Sequence, residues 1–245
     1  MRVGGGRPFP KKRIAMERVA VVLAGGFGTR LQSVVRDLPK PMAVVAGRPF
    51  LTYVLDELIA HGFSRVILST GYRHECIEDY FGGQYRSLSI SYARELEPLG
   101  TGGGIWNAMH QSAVEYTFVC NGDTLFRADW DALERLVLQH GAPALALRRV
   151  DDVSRYGSVE TAADGRVLRF VEKQSASGAG FINGGIYLLP KSLFAGFGVG
   201  EHFSFEKDIL EKRVPVQPFY ADVSDGYFID IGIPEDYMRA QKELV

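Results

Sequence analysis

The chain has 245 residues, a length that suits one α/β domain with a substantial buried core. A composition of 46% hydrophobic and 23% charged residues excludes general disorder. The net charge of −1 argues against a nucleic-acid-binding protein, which would show a basic stripe, and no stretch reaches the apolar length of a membrane span.

Arg2, Arg7, Lys11, Lys12 and Arg13 cluster in residues 1–15, which read as a solvated tail, with Met16 opening the folded part. They do not begin a secretory signal, because Val19–Leu23 is too short and runs into glycines. That run of β-formers predicts a buried strand entering a tight loop. Phe50, Leu51, Val54, Leu55, Leu58 and Ile59 recur at helical spacing, and Gly62 stops the helix. A strand at Val66–Ser69, a short helix around Ile77–Phe81 and a strand at Leu88–Ala93 follow. Gly102–Gly104 opens a helix near Ile105–Ala113, and Thr117–Asn121 is another buried strand. Cys76 and Cys120 lack metal-ligand spacing and read as buried free thiols in a reducing compartment, the cytoplasm.

In the second half a helix at Trp130–His140 leads to a strand at Ala144–Val150. Ser158–Thr161 and Val167–Glu172 flank Asp164-Gly165, a hairpin signal. Strands at Phe181–Leu188 and Val216–Ala221 enclose a helix at Phe205–Lys212, and Pro234 opens the last helix with Glu235 and Asp236 in its first turn. Strands alternating with helices predict an α/β fold, a mainly parallel sheet with helices on both faces. The organisation expected is a single domain over 16–245, with a nucleotide half at about 16–125 and an acceptor half at about 126–245.

The loop after the first strand, Leu23-Ala24-Gly25-Gly26-Phe27-Gly28-Thr29-Arg30-Leu31, has the chemistry of a phosphate cradle. Its glycines let backbone N–H groups approach an anion, and Arg30 and Lys40 add charge. The glycines alone fit a simple turn equally well. Leu31 stands where a dinucleotide fingerprint needs its third glycine, and no Walker A pattern occurs, which argues against a nicotinamide oxidoreductase.

Ala24–Leu31 followed by Leu38-Pro39-Lys40-Pro41-Met42 resembles the signature of the sugar-1-phosphate nucleotidyltransferase family, and the similarity runs from about Val19 to the C-terminus. The resemblance implies a Rossmann-like mixed α/β fold of the nucleotide-diphospho-sugar transferase type, divalent-metal dependence and transfer of a nucleotidyl group to a sugar phosphate. It places the nucleotide at Leu23, Ala24, Gly25, Gly26, Gly28, Thr29, Arg30 and Lys40, with the base near Tyr72, Glu97, Gly100 and Thr101. Glu97 would suit the N–H donors of guanine, yet it is equally a loop charge, and chemistry alone does not separate guanine from uracil.

Asp123 follows the strand Thr117–Asn121, and a second carboxylate, Asp230, stands in Tyr227–Tyr237. An isolated aspartate after a strand is ordinarily a turn or a cap. Both positions match those at which the family holds its metal, and two carboxylates with phosphate oxygens suit Mg²⁺. Asp129, Asp131, Asp151 and Asp152 read instead as caps or solvated charges. The resemblance assigns the sugar phosphate to Tyr156, Gly157, Glu172, Lys173, Asn183 and Gly184. Taken singly, Glu172–Lys173 would be a surface pair and Gly184-Gly185 a bulge.

The catalytic set expected is therefore Arg30, Lys40, Asp123, Lys173 and Asp230, and its joint retention favours an enzyme over an inactive, sugar-nucleotide-binding regulatory subunit. Longer segments, among them Arg155-Tyr156-Gly157 and Phe203-Ser204-Phe205-Glu206, are similar to guanylyltransferases of the family. The partners expected are GTP and a sugar 1-phosphate, with homodimerisation allowed and neither nucleic acid nor membrane.

Overall fold

The computed structural model describes residues 17–26, 38–154, 157–171 and 178–245. Strand β1 (Val19–Leu23) lies at the centre of the main sheet, parallel to both of its neighbours. Both of its faces are covered, which is why its residues are apolar without alternation. A small hairpin, β2 (Val44–Val45) and β3 (Arg48–Pro49), delivers the chain into α1 (Phe50–Ala60). Then come β4 (Arg65–Thr70), α2 (His74–Phe81), β5 (Gln84–Tyr85), β6 (Leu88–Arg94), α3 (Gly100–His110), β7 (Tyr116–Asn121) and β8 (Thr124–Phe126). Helix α4 (Trp130–His140) precedes β9 (Ala144–Val150), β10 (Ser158–Thr161), β11 (Val167–Val171) and β12 (Gly180–Pro190). A π-helical turn at Phe205–Leu210 runs into α5 (Glu211–Arg213), followed by β13 (Tyr220–Ser224), β14 (Phe228–Asp230) and α6 (Pro234–Glu243).

The main sheet runs β11-β10-β12-β7-β1-β4-β6-β5, and β9 pairs with β12 and β13. Strands β7, β1, β4 and β6 are mutually parallel, whereas β12 is antiparallel to β7, β9 and β10. Alternate residues of β1 serve opposite faces. Ala20 and Val22 join a core built with α1 and α4, through Leu51, Leu55, Trp130 and Leu133. Val19 and Val21 join a second core with α3 and the π-helical turn, through Ile105, Met109, Phe205 and Ile209. The fold is thus the expected mixed α/β sheet with helices on both faces. Among the described residues no helix is long and apolar enough to cross a membrane.

Several expectations need correction. Helix α3 begins at Gly100, so the glycines lie within its first turn instead of before it. Strand β13 begins at Tyr220, because the preceding segment holds Pro215 and Pro218 and leaves Val216 81% exposed. The helix expected from Phe205 starts as a π-turn. Cys120 is buried, and burial pushes its thiol up to about 12, but Cys76 is only half-buried; both are free. Asp129 does cap α4, its side chain accepting from Ala132 N at 2.9 Å. Residues 1–16, the expected tail among them, lie outside the described residues.

Candidate active site

The carboxyl ends of β1, β4, β6 and β7 open into one cleft of about 730 Å³. Each strand contributes its following loop: Gly25 and Gly26 after β1, Gly71–Glu75 after β4, Glu95–Pro98 after β6 and Asp123 after β7. This is where open parallel sheets bind ligands, and the volume falls in the range of small-molecule sites. The floor is held backbone to backbone. Ala24 N donates to Ser69 O at 2.8 Å, and Gly122 N donates to Leu23 O at 2.9 Å. A Cβ on Gly25 would stand 3.1 Å from Gly71 N and 3.2 Å from Glu95 Oε1, so a side chain there would push the two loops apart.

Three charges meet at one end of the cleft. Lys40, in a short 3₁₀ turn entered through Pro39, places Nζ 2.5 Å from Asp123 Oδ2 and 3.3 Å from Asp230 Oδ1. The two aspartates are far apart in sequence, and β8 and β14 bring them together: Asp230 pairs with Thr124, and Ile231 N donates to Asp123 O at 3.1 Å. Asp230 Oδ1 is further fixed by Gly232 N at 2.8 Å. Burial alone would lower the Lys40 pKa, but Asp123 and Asp230 outweigh it and raise it above the ordinary lysine value. Asp230 moves above the usual carboxylate range, through burial first and then the charge of Asp123, with Lys40 pulling the other way. Two carboxylates facing one ammonium leave a unit of negative charge, so the trio has room for a further cation. Both offer hard oxygen donors beside Lys40, a donor type that fits a Mg²⁺ ion taking its remaining ligands from phosphates and water. Among the described residues no group of three or more His, Cys, Asp or Glu gathers to hold a metal on its own.

The cleft is also lined by Tyr72, Glu97, Gly100 and Thr101, together with groups the sequence did not single out. Glu95 is the most firmly placed. Its Oε1 accepts from Ser69 Oγ at 2.9 Å and its Oε2 from Leu99 N at 3.0 Å. Arg94 and His74 line the cleft too, both tied to Glu78, whose carboxyl pKa lies below the ordinary glutamate value chiefly through Arg94. Glu206 reaches the cleft from the π-helical turn, its Oε2 accepting from Thr101 Oγ1 at 2.6 Å.

Leu23, Gly25, Gly26, Lys40, Tyr72, Glu97, Gly100, Thr101 and Asp123 of the expected set line this cleft. Ala24 is buried beneath it, and Asp230 joins it through Lys40. Gly157, Asn183 and Gly184 are not among its lining residues. Asn183 N donates to Gly157 O at 3.2 Å, and the Asn183 amide is turned to Tyr187 and Gly185. Gly184 packs on Phe126 where the register of β12 on β9 shifts. Gly28, Thr29, Arg30, Tyr156, Glu172 and Lys173 lie outside the described residues.

The cleft lies where open parallel sheets bind ligands, and the chain belongs to the nucleotidyl transferase family, which it matches over residues 19–245. It is 49% identical over 226 residues to D-glycero-alpha-D-manno-heptose 1-phosphate guanylyltransferase of Aneurinibacillus thermoaerophilus, covering 92% of this chain and 97% of that protein. The protein of the same name from Campylobacter jejuni is 42% identical, over 89% of this chain and 96% of its own length. Among solved structures, HddC from Yersinia pseudotuberculosis complexed with GMP-PN superposes with a TM-score of 0.81 at 39% identity, covering 93% of this chain and all of that one.

Proposed function

We propose that the protein transfers GMP from GTP to D-glycero-α-D-manno-heptose 1-phosphate, or a 6-deoxy relative, giving the GDP-heptose and pyrophosphate. The convergence of Asp123, Asp230 and Lys40 at the carboxyl end of a parallel sheet carries the reaction class. Near full-length similarity to two heptose 1-phosphate guanylyltransferases supports the base and the sugar. Glu95 and Glu97 line the cleft and would supply carboxylate acceptors for guanine's N1–H and N2–H.

In this reading an oxygen of the sugar phosphate attacks the α-phosphorus of GTP in line. The new P–O bond forms as the bond from the α-phosphorus to the bridging oxygen breaks, and that electron pair leaves with pyrophosphate. The nucleophile is already an anion near neutral pH, so no protein base is needed, and positioning and charge stabilisation do the catalysis. Arg30 and Lys40 hold the leaving pyrophosphate, and Lys173 seats the acceptor phosphate beside Glu172. Asp123 and Asp230 are the residues that would hold Mg²⁺, which when bound offsets the charge gathering on the phosphates. Gly157, Tyr156, Asn183 and Gly184 complete the acceptor side, and a cytoplasmic location suits a synthesis that draws on GTP.

The test is pyrophosphate release with each of four nucleoside triphosphates against heptose, mannose and N-acetylmuramate 1-phosphates. GTP with heptose 1-phosphate should give the highest kcat/KM. A higher value for UTP, or for mannose 1-phosphate, would overturn the assignment of base or sugar respectively.

A further inference from the structure

Glu206 lines the cleft although the element that carries it belongs to the second half of the chain. That element is a π-helical turn, a rare conformation that concentrates at functional positions. Its first residue explains its placement. Phe205 is fully buried, its ring edge-on to Tyr187 with centroids 4.9 Å apart, and this fixes the start of the turn against β12. The following residue, Glu206, is then free to face the cleft. Its carboxylate is only half committed to the protein. Oε2 accepts from Thr101 Oγ1 at 2.6 Å and Ser204 Oγ at 3.1 Å, and Thr101 Oγ1 in turn accepts from Phe205 N at 2.9 Å. None of the described residues donates to Oε1.

Behind Glu206 a file of polar groups leads to β12. The buried Tyr187 hydroxyl is held protonated by burial and then by the charge of Glu206, and it accepts from Asn183 Nδ2 at 2.6 Å. Asn183 Oδ1 is itself taken by Gly185 N at 3.1 Å. The Thr101–Glu206 and Tyr187–Asn183 hydrogen bonds thus lie on either side of Phe205, whose ring packs on Tyr187. A carboxylate held in this way repels phosphate and accepts only from donors such as N–H or O–H groups. The base wall already has Glu95 and Glu97, whereas the acceptor sugar brings several hydroxyls that need partners.

We propose that Glu206 is a specificity-determining residue that accepts a hydrogen bond from a ring hydroxyl of the sugar 1-phosphate through its Oε1. This rests on the reading of the cleft as a sugar-1-phosphate guanylyltransferase site. The full chain is compared with Glu206→Gln, which keeps the size and loses the charge, and Glu206→Asp, which keeps the charge and withdraws it. KM for heptose 1-phosphate should rise about tenfold to a hundredfold in both, the scale of one hydrogen bond to a charged group. GTP affinity measured without acceptor should stay within about twofold of the parent, and the Tm should be nearly unchanged. In a series of monodeoxy sugar 1-phosphates, parent and Glu206→Gln should converge on the analogue that lacks the contacted hydroxyl.

An unchanged KM for the sugar phosphate overturns the proposal. So does a loss concentrated in GTP affinity, which would make Oε1 a ribose or base contact. A fall in Tm with parallel loss of both substrates in both variants makes Glu206 a brace between α3 and the π-turn, and also overturns it. The parent enzyme decides the underlying reading separately: if it prefers mannose 1-phosphate, the heptose assignment fails and the Glu206 comparison is read on mannose 1-phosphate.

Discussion

Lys40 lies between two carboxylates that would otherwise repel each other, and on the proposed reading a divalent ion would relieve their remaining deficit of positive charge. Asp123→Asn keeps the side-chain size and removes one of the charges that the metal–triphosphate complex needs. The expected result is a kcat at least about a hundredfold lower at saturating Mg²⁺, with a circular-dichroism melting curve close to the parent's. Wild-type turnover in this variant would remove Asp123 from the role of principal metal ligand. The pair Asp123 and Asp230 was legible only through the resemblance, since strand β14, which carries Asp230 to β8, is three residues long and has no period of its own. Glu95 was missed for a different reason. It lies two residues beyond Ala93, on the face of β6 that points at Ser69, so the strand's alternation would have found it. Glu97 drew attention instead because of its neighbours Pro98 and Gly100, although the strand ends at Arg94 and the intervening Leu96 is 95% exposed.

At the scale of elements, long apolar runs were the legible part. β1, α4, β9 and β10 begin and end where periodicity and caps put them, because each has a buried face that its sequence must supply. The start of α3 was not legible. Glycine is a poor helix former, so a run of glycines reads as a loop before a helix. Here close packing outweighs propensity. Gly102 N and Gly103 N both donate to Phe203 O, and a Cβ on Gly103 would collide with Glu201 O and stand 2.8 Å from Leu99 Cβ. Gly103→Ala is therefore a case where two effects oppose each other. Propensity alone favours alanine by about 1 kcal/mol, whereas overpacking against backbone costs about 1–3 kcal/mol. Urea unfolding should show a net loss of up to about 2 kcal/mol. A gain in stability would mean that the Glu201–Phe203 segment yields easily and does not brace the helix.

Across the whole molecule, the parallel strands around β1 and the antiparallel strands around β12 meet at the β7–β12 pair, and the cleft draws residues from both sides. The sequence conveyed this arrangement as an order of motifs, and through the resemblance it paired Asp230 with Asp123, but it did not convey that Glu206 also returns to the first half, nor how either return is built. Those returns depend on the β8–β14 pairing and on Phe205 docking against Tyr187, contacts between distant segments that no local pattern encodes. The proposed division of labour predicts that donor and acceptor defects separate kinetically. Lys173→Ala removes a charge-assisted contact to the sugar phosphate and should lower kcat/KM for that substrate about tenfold to a hundredfold. GTP binding measured without acceptor should hardly change. Arg30→Ala should instead weaken GTP binding or slow the transfer step, through poorer support of the leaving pyrophosphate, because the resemblance assigns its charge to the triphosphate. Isothermal titration with GTP and steady-state kinetics in the sugar phosphate read the two defects independently. If Lys173→Ala weakened GTP binding and left sugar-phosphate kinetics untouched, Lys173 would belong with the donor, and the acceptor phosphate would have to be neutralised from elsewhere in the cleft.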